Sequence, residues 1–169
     1  AQDDKQSAKA KSKFLKTKYD KGKDLTTVSL KTLNLGGSMT KEVGNLQEVS
    51  QLDLDGSFTY QGAEITKPAD SVTLAFKTFA RYPIYQRPQN LVAVLDNDRA
   101  LMLGGTGYKS NSRTFGIEEI LSLSVPSDAM IKIRDAKSVK FILGAREIQL
   151  REKDHEALRE LARAMSPAP

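Results

Sequence analysis

The chain has 169 residues, with 26 basic and 21 acidic side chains, 39% hydrophobic residues, one histidine and no cysteine. That length supports one domain with a real core, burying roughly two-thirds of its unfolded surface. The missing thiols exclude disulfides, thiolate catalysis and cysteine-type zinc sites. The longest apolar run, Leu91 to Leu95, falls far short of the ~20 residues of a membrane helix.

The net charge of +5 is unevenly placed, because residues 1–24 hold eight lysines against four aspartates. The remainder is nearly neutral, so the high isoelectric point is no argument for specific nucleic-acid binding by the folded body. Residues 1–18 are rich in Lys, Ala, Ser and Gln, and are expected to be a flexible arm. Ala1-Gln2 suits a chain left after signal-peptide removal, giving an expectation of export to the periplasm or beyond.

A single domain is expected over 19–165, followed by a tail at 166–169. Leu25 to Leu35 reads as a first strand closed by Gly36-Gly37, and 38–45 as loop. In the next segment Leu52, Leu54, Gly56, Phe58 and Tyr60 share one parity. A hairpin turn at Asp55-Gly56 would divide this set between two faces. One continuous strand, with Gly56 as a bulge or close-approach point, keeps it together. Val72, Leu74 and Phe76 alternate as another strand, and 81–90, with two prolines, reads as an ordered surface loop.

Asp96-Asn97-Asp98-Arg99 reads as a hairpin loop between Leu91–Leu95 and Ala100–Leu103. Residues 104–114 read as the longest loop suited to carry function. Its Gly104-Gly105-Thr106-Gly107-Tyr108-Lys109-Ser110 is no phosphate-binding loop, since Tyr108 holds the glycine position before Lys-Ser and no helix pattern follows. Ile117 to Val125 is a further strand. Ser127 is expected to cap a short helix over about 127–136, with Met130 and Ile133 facing inward. Val139–Leu143 and Ile148–Leu150 flank Gly144-Ala145, which suits a two-residue turn of type II′. Apolar spacing then predicts a C-terminal helix over about 153–165, stopped by Ser166-Pro167. The fold class is therefore α+β and mainly antiparallel: a sheet or sandwich of about seven to nine strands carrying two helices.

Carboxylates cluster at Asp53 and Asp55, at Asp96 and Asp98, and at Glu118-Glu119, all readable as turn or solvated strand residues. His155 has no nucleophile elbow to serve. No catalytic set, metal site or cofactor is assigned. The binding candidates are Arg81, Tyr82, Tyr85 and Arg87, because arginine and aromatic residues on a loop favour interfaces, and also Tyr108 and Lys109 of the 104–114 segment.

Three segments together carry a resemblance: Tyr19 to Val28, Phe58-Thr59-Tyr60-Gln61-Gly62, and Ser138 to Gly144 with Ala157 to Leu161. The set resembles small exported bacterial proteins made with a signal peptide or lipoprotein signal. The resemblance implies export and a compact β-rich domain, and brings no catalytic residues. The expected function is a non-enzymatic extracytoplasmic binding or structural module, with a protein or cell-envelope component as partner. Two alternatives are a carboxylate-dependent, hydrolytic enzyme using Asp53, Asp55, Asp96, Asp98 or Glu118, and an anionic-surface binder acting through the lysine arm.

Overall fold

Alternation is strongest in residues 51–61, and there the chain forms one unbroken strand. A computed structural model describes residues 11–36 and 51–169; the expected loop at 38–45, Gly37 and the first ten residues of the arm lie outside the described residues. Taking the strands in chain order, β1 is Leu15–Asp20, β2 Leu25–Leu30, β3 Leu33–Asn34, β4 Gln51–Gln61 and β5 Ser71–Ala80. They are followed by β6 Asn90–Leu95, β7 Arg99–Gly105, β8 Gly107–Arg113 and β9 Gly116–Pro126. Helix α1 is Ser127–Asp135, β10 is Val139–Leu143, β11 is Arg146–Gln149, and helix α2 is Glu152–Ala164.

The larger sheet runs β1-β2-β4-β5-β9-β8, with β3 also on β4, and the smaller runs β11-β10-β6-β7, every pairing antiparallel. Leu52, Leu54 and Phe58 of β4 face the core. Gly56 pairs with Leu74 in an unbroken register, so it is a close-approach point and no bulge. The α2 residues Ala157, Leu158, Leu161 and Ala162 are buried, and they cover one part of the inner face of the larger sheet. The smaller sheet covers another part, where Phe76 meets Phe141 edge-on at 5.7 Å.

Four local readings are corrected. Residues 15–18, expected in the flexible arm, form β1, which pairs with β2 from Leu15↔Leu30 to Asp20↔Leu25. The single strand expected at 25–35 is interrupted at Lys31-Thr32, so that β2 and β3 pair separately with β4. The expected functional loop at 104–114 is mostly strand: β7 and β8 follow each other with only Thr106 between them. Glycine and serine obscured it, because an edge strand needs no strict apolar alternation. Finally, Pro126, extended at ψ 153°, occupies the N-cap of α1, so Ser127 is the first helical residue and its N–H donates to the Asp70 carbonyl. These strands raise the number to eleven among the described residues, within the expected antiparallel α+β class.

The turn at Gly144-Ala145 joins Leu143 to its partner Arg146 with Gly144 at φ +62°, the conformation a type II′ turn needs at its first position. The β6–β7 turn holds three residues between Leu95 and its partner Arg99, and Asp96 and Asn97 both adopt positive φ. Asp96 also accepts bonds from the Lys137 and Ser138 N–H groups, tying this turn to the end of α1. No helix among the described residues is long and apolar enough to cross a membrane.

Candidate functional site

Glu119 lies on β9 in the parity of Leu121, Leu123 and Val125, and therefore points inward with 1% of its surface exposed. A buried carboxylate is costly unless its oxygens are satisfied. Here the β5–β6 loop satisfies them. The backbone N–H groups of Ile84, Tyr85 and Gln86 all donate to Glu119, Gln86 at 2.8 Å. The Tyr108 hydroxyl of β8 adds a fourth donor at 2.8 Å. Burial is the strongest single influence on this carboxyl and pushes its pKa up, but the four donors together outweigh it and hold the pKa below the ordinary glutamate value. Tyr108 is shifted up, first by burial and then by donating to Glu119.

Three consecutive N–H groups converge on one side chain only if the backbone curls around it, and Gln86 takes φ +64° to do so. The far end of the loop is fastened as well: Gln89 donates from its N–H to the Thr106 hydroxyl at 3.0 Å and accepts from the Thr106 N–H at 2.8 Å. The loop is thus bound to β9 and to the β7–β8 ribbon through groups that do not involve its exposed side chains.

Those exposed side chains include Arg81, Tyr82 and Arg87, with Gln86 and Pro88. Tyr82 is 61% exposed, with the Arg81 guanidinium 5.6 Å from its ring centre. Arg99, Arg113, Arg134, Arg151, Arg159 and Arg163 each hold a carboxylate, and Arg146 lies over the Tyr85 ring. Arg81 and Arg87 have no carboxylate partner among the described residues. Ala80 pairs with Ile117, so the β8–β9 turn with Phe115, 85% exposed, leaves the sheet at the same end as Arg81.

The six binding candidates therefore divide. Arg81, Tyr82 and Arg87 are each exposed, and Arg81 lies over the Tyr82 ring. Tyr85 is a core residue, correcting its reading as an exposed contact. Tyr108 points inward and braces the loop from below. Lys109 is exposed on the outer face of the larger sheet, the opposite side from Tyr108. The decisive group is Glu119, buried rather than the solvated strand carboxylate that the sequence suggests, and its parity with Leu121 is the signal against that expectation. Phe115 carried no signal beyond its place before Gly116.

The carboxylates considered for catalysis lie in two places among the described residues. Asp53, Asp55 and Glu118 are on the outer face of the larger sheet, where all three favour the charged form of Lys77. Asp55 pairs with Lys77 at 2.8 Å and accepts from the Thr32 hydroxyl at 2.6 Å, and Asp53 accepts from the Gln51 amide. Glu118 takes bonds from Asn111 and Arg113, which lower its pKa. Asp96 is lowered by the Lys137 and Ser138 N–H groups and then by Arg99. General-acid work at neutral pH calls for a carboxyl raised toward 7, opposite to both shifts. Asp98 is exposed on the β6–β7 turn. Among the described residues no three His, Asp or Glu side chains converge to hold a metal. His155 is buried and joins the helices, its Nε2 2.7 Å from the Ile133 carbonyl oxygen. Comparison with family models, curated proteins and solved structures finds no match to this chain.

Proposed function

We propose that this domain is a non-enzymatic, extracytoplasmic binding module that recognises an acidic protein or cell-envelope component through Arg81, Tyr82 and Arg87. The observation that carries the reading is the contrast among the arginines. Elsewhere arginines pair with carboxylates or stack on the core, whereas Arg81 and Arg87 on the Glu119-anchored loop meet no carboxylate among the described residues, and Arg81 lies over the exposed Tyr82 ring. A planar guanidinium suits bidentate contact with carboxylate or phosphate. The anchoring reduces the ordering cost that a mobile loop meets on binding. The extracytoplasmic location belongs to the proposal and rests on the sequence resemblance to exported proteins.

The test is titration of the protein with poly-L-glutamate at low and at physiological salt, comparing wild type with the Arg81→Ala/Arg87→Ala variant. The expected result is salt-sensitive binding that weakens about tenfold in the variant, a loss of ~1.4 kcal/mol. Undiminished binding by the variant overturns the reading. If binding then disappears on removal of residues 1–11, the lysine arm is the anionic-surface binder instead.

A further inference from the structure

The β7–β8 ribbon has a second property besides holding the loop. In the described structure β8 ends the larger sheet and β7 ends the smaller, so one stretch of chain, residues 99–113, forms the free edge of both. The seven residues of β8 span roughly 23 Å at about 3.3 Å per residue. Native edges of this kind are normally blunted by proline, inward charges or bulges. The β7 half carries a bulge, where Leu91↔Gly104 is followed by Val92↔Met102, but β8 contains no proline and pairs with β9 without interruption from Gly107↔Ser122 to Arg113↔Gly116. The ribbon's side chains are small over Gly104–Gly107 and at Ser110 and Ser112, so another backbone can approach closely.

From this edge we infer that the partner of the binding module is a protein that docks by adding an extended, acidic segment alongside β8. Charge selects the occupant. The ribbon carries Arg99, Lys109 and Arg113 and no acidic residue. Lys109 and Arg113 are four apart, so both stand on the outer face; Arg113 already pairs with Glu118 at 3.1 Å and Arg99 with Asp96, so Lys109 is the ribbon's cation without a carboxylate among the described residues, and an acid at the facing position of an added strand would meet it. A second copy is disfavoured: β8 against β8 opposes like charges, and the other free edge of the larger sheet, β1, presents Lys16 and Lys18. The loop with Arg81 and Arg87 is bonded to this ribbon at Gln89 and Thr106, and Tyr108 of the ribbon shares the loop's Glu119 anchor. The inference rests on the binding-module reading and specifies the partner.

The test uses three labelled peptides: alternating glutamate and valine, the same sequence N-methylated at every second residue, and alternating lysine and valine. The glutamate peptide is expected to bind and to slow amide exchange over 107–113. The N-methylated peptide keeps the charge but loses one row of backbone donors, and is expected to bind at least about tenfold more weakly. The lysine peptide is expected not to bind. Lys109→Glu, an exposed change, should weaken the glutamate peptide comparably while leaving the fold intact. Equal binding of the N-methylated peptide, or no binding of the glutamate peptide to protein that still binds poly-L-glutamate, overturns strand addition and leaves the loop reading standing. Loss of poly-L-glutamate binding as well overturns both.

Discussion

The side-chain position of Gly56 on β4 points at Leu161 on α2: a Cβ built on the glycine would lie 2.9 Å from the leucine Cδ2. Leu30 and Leu74 close the same space at 3.0 and 3.2 Å. The helix rests on the sheet here because the strand offers no side chain. Gly56→Ala should therefore destabilise the protein by about 1–3 kcal/mol through overpacking, measured by urea denaturation. Gly116→Ala should cost more, since its Cβ would meet the Ala80 backbone oxygen at 2.5 Å, and backbone yields less readily than a leucine tip. If Gly56→Ala is neutral, the close contact does not set the spacing of helix and sheet.

Glu119 supports a pair of linked predictions. Glu119→Ala leaves the Ile84, Tyr85 and Gln86 N–H groups without their acceptor, at a cost of about 2–4 kcal/mol. Tyr108→Phe removes one bond to the charged carboxylate and should cost about 1–2 kcal/mol. Hydrogen exchange should speed up at 84–86 in both variants while the β5–β9 ladder stays protected. Unchanged exchange in Glu119→Ala would remove the carboxylate as the loop's anchor.

The same carboxyl sets a pH dependence. Its folded pKa lies below the ordinary value of 4.5, so the unfolded chain binds a proton more readily than the folded one. Its contribution to stability is therefore complete above the ordinary value and is lost as pH falls through the folded one. Glu118 and Asp96 are lowered too and act in the same direction. Stability measured by denaturation from neutral pH downward should fall only in the acid limb, and Glu119→Gln should make that limb shallower. An equally steep limb in the variant contradicts the assignment.

Removing guanidinium groups that hold no described carboxylate should leave the fold alone. Arg81→Ala/Arg87→Ala is expected to change stability by no more than about 0.5 kcal/mol, since both are exposed and the one ring contact, Arg81 on Tyr82, is itself solvent-exposed. Arg159→Ala is the contrast. It loses bonds to Glu152 and Glu156 and to the Arg134 and Ala136 carbonyls, which join α2 to α1. Its loss should lower the melting temperature measurably, whereas the loop variant melts like wild type.

His155 offers a final test of how the helices are joined. His155→Leu keeps an apolar volume but strips the donor from the Ile133 carbonyl, an expected loss of about 1–3 kcal/mol. At this chain length that lowers the melting temperature by roughly 2–12 °C. A neutral result would mean that water reaches the carbonyl in its place.

Periodicity determined much of the architecture locally. The shared parity of Leu52, Leu54, Gly56 and Phe58 specified β4 as one strand, Gly144 specified a two-residue turn, and the spacing of Leu158, Leu161 and Met165 specified an apolar helix stripe. These features follow from side-chain direction along a strand or helix, which a few neighbouring residues establish. Two edge strands escaped the same logic. Lys16, Thr17 and Lys18 of β1, and Gly107 to Arg113 of β8, have one neighbouring strand each and little to bury, so no apolar alternation marks them. The site depended still more on distant partners. Arg81 and Arg113 look equivalent in sequence, yet β9 brings Glu118 to Arg113, and no described carboxylate meets Arg81. Glu119 gains its four donors only when the β5–β6 loop and β8 fold over it. Strand register across dozens of residues decides which charges are neutralised and which stay free, and that long-range pairing exists only in the tertiary structure.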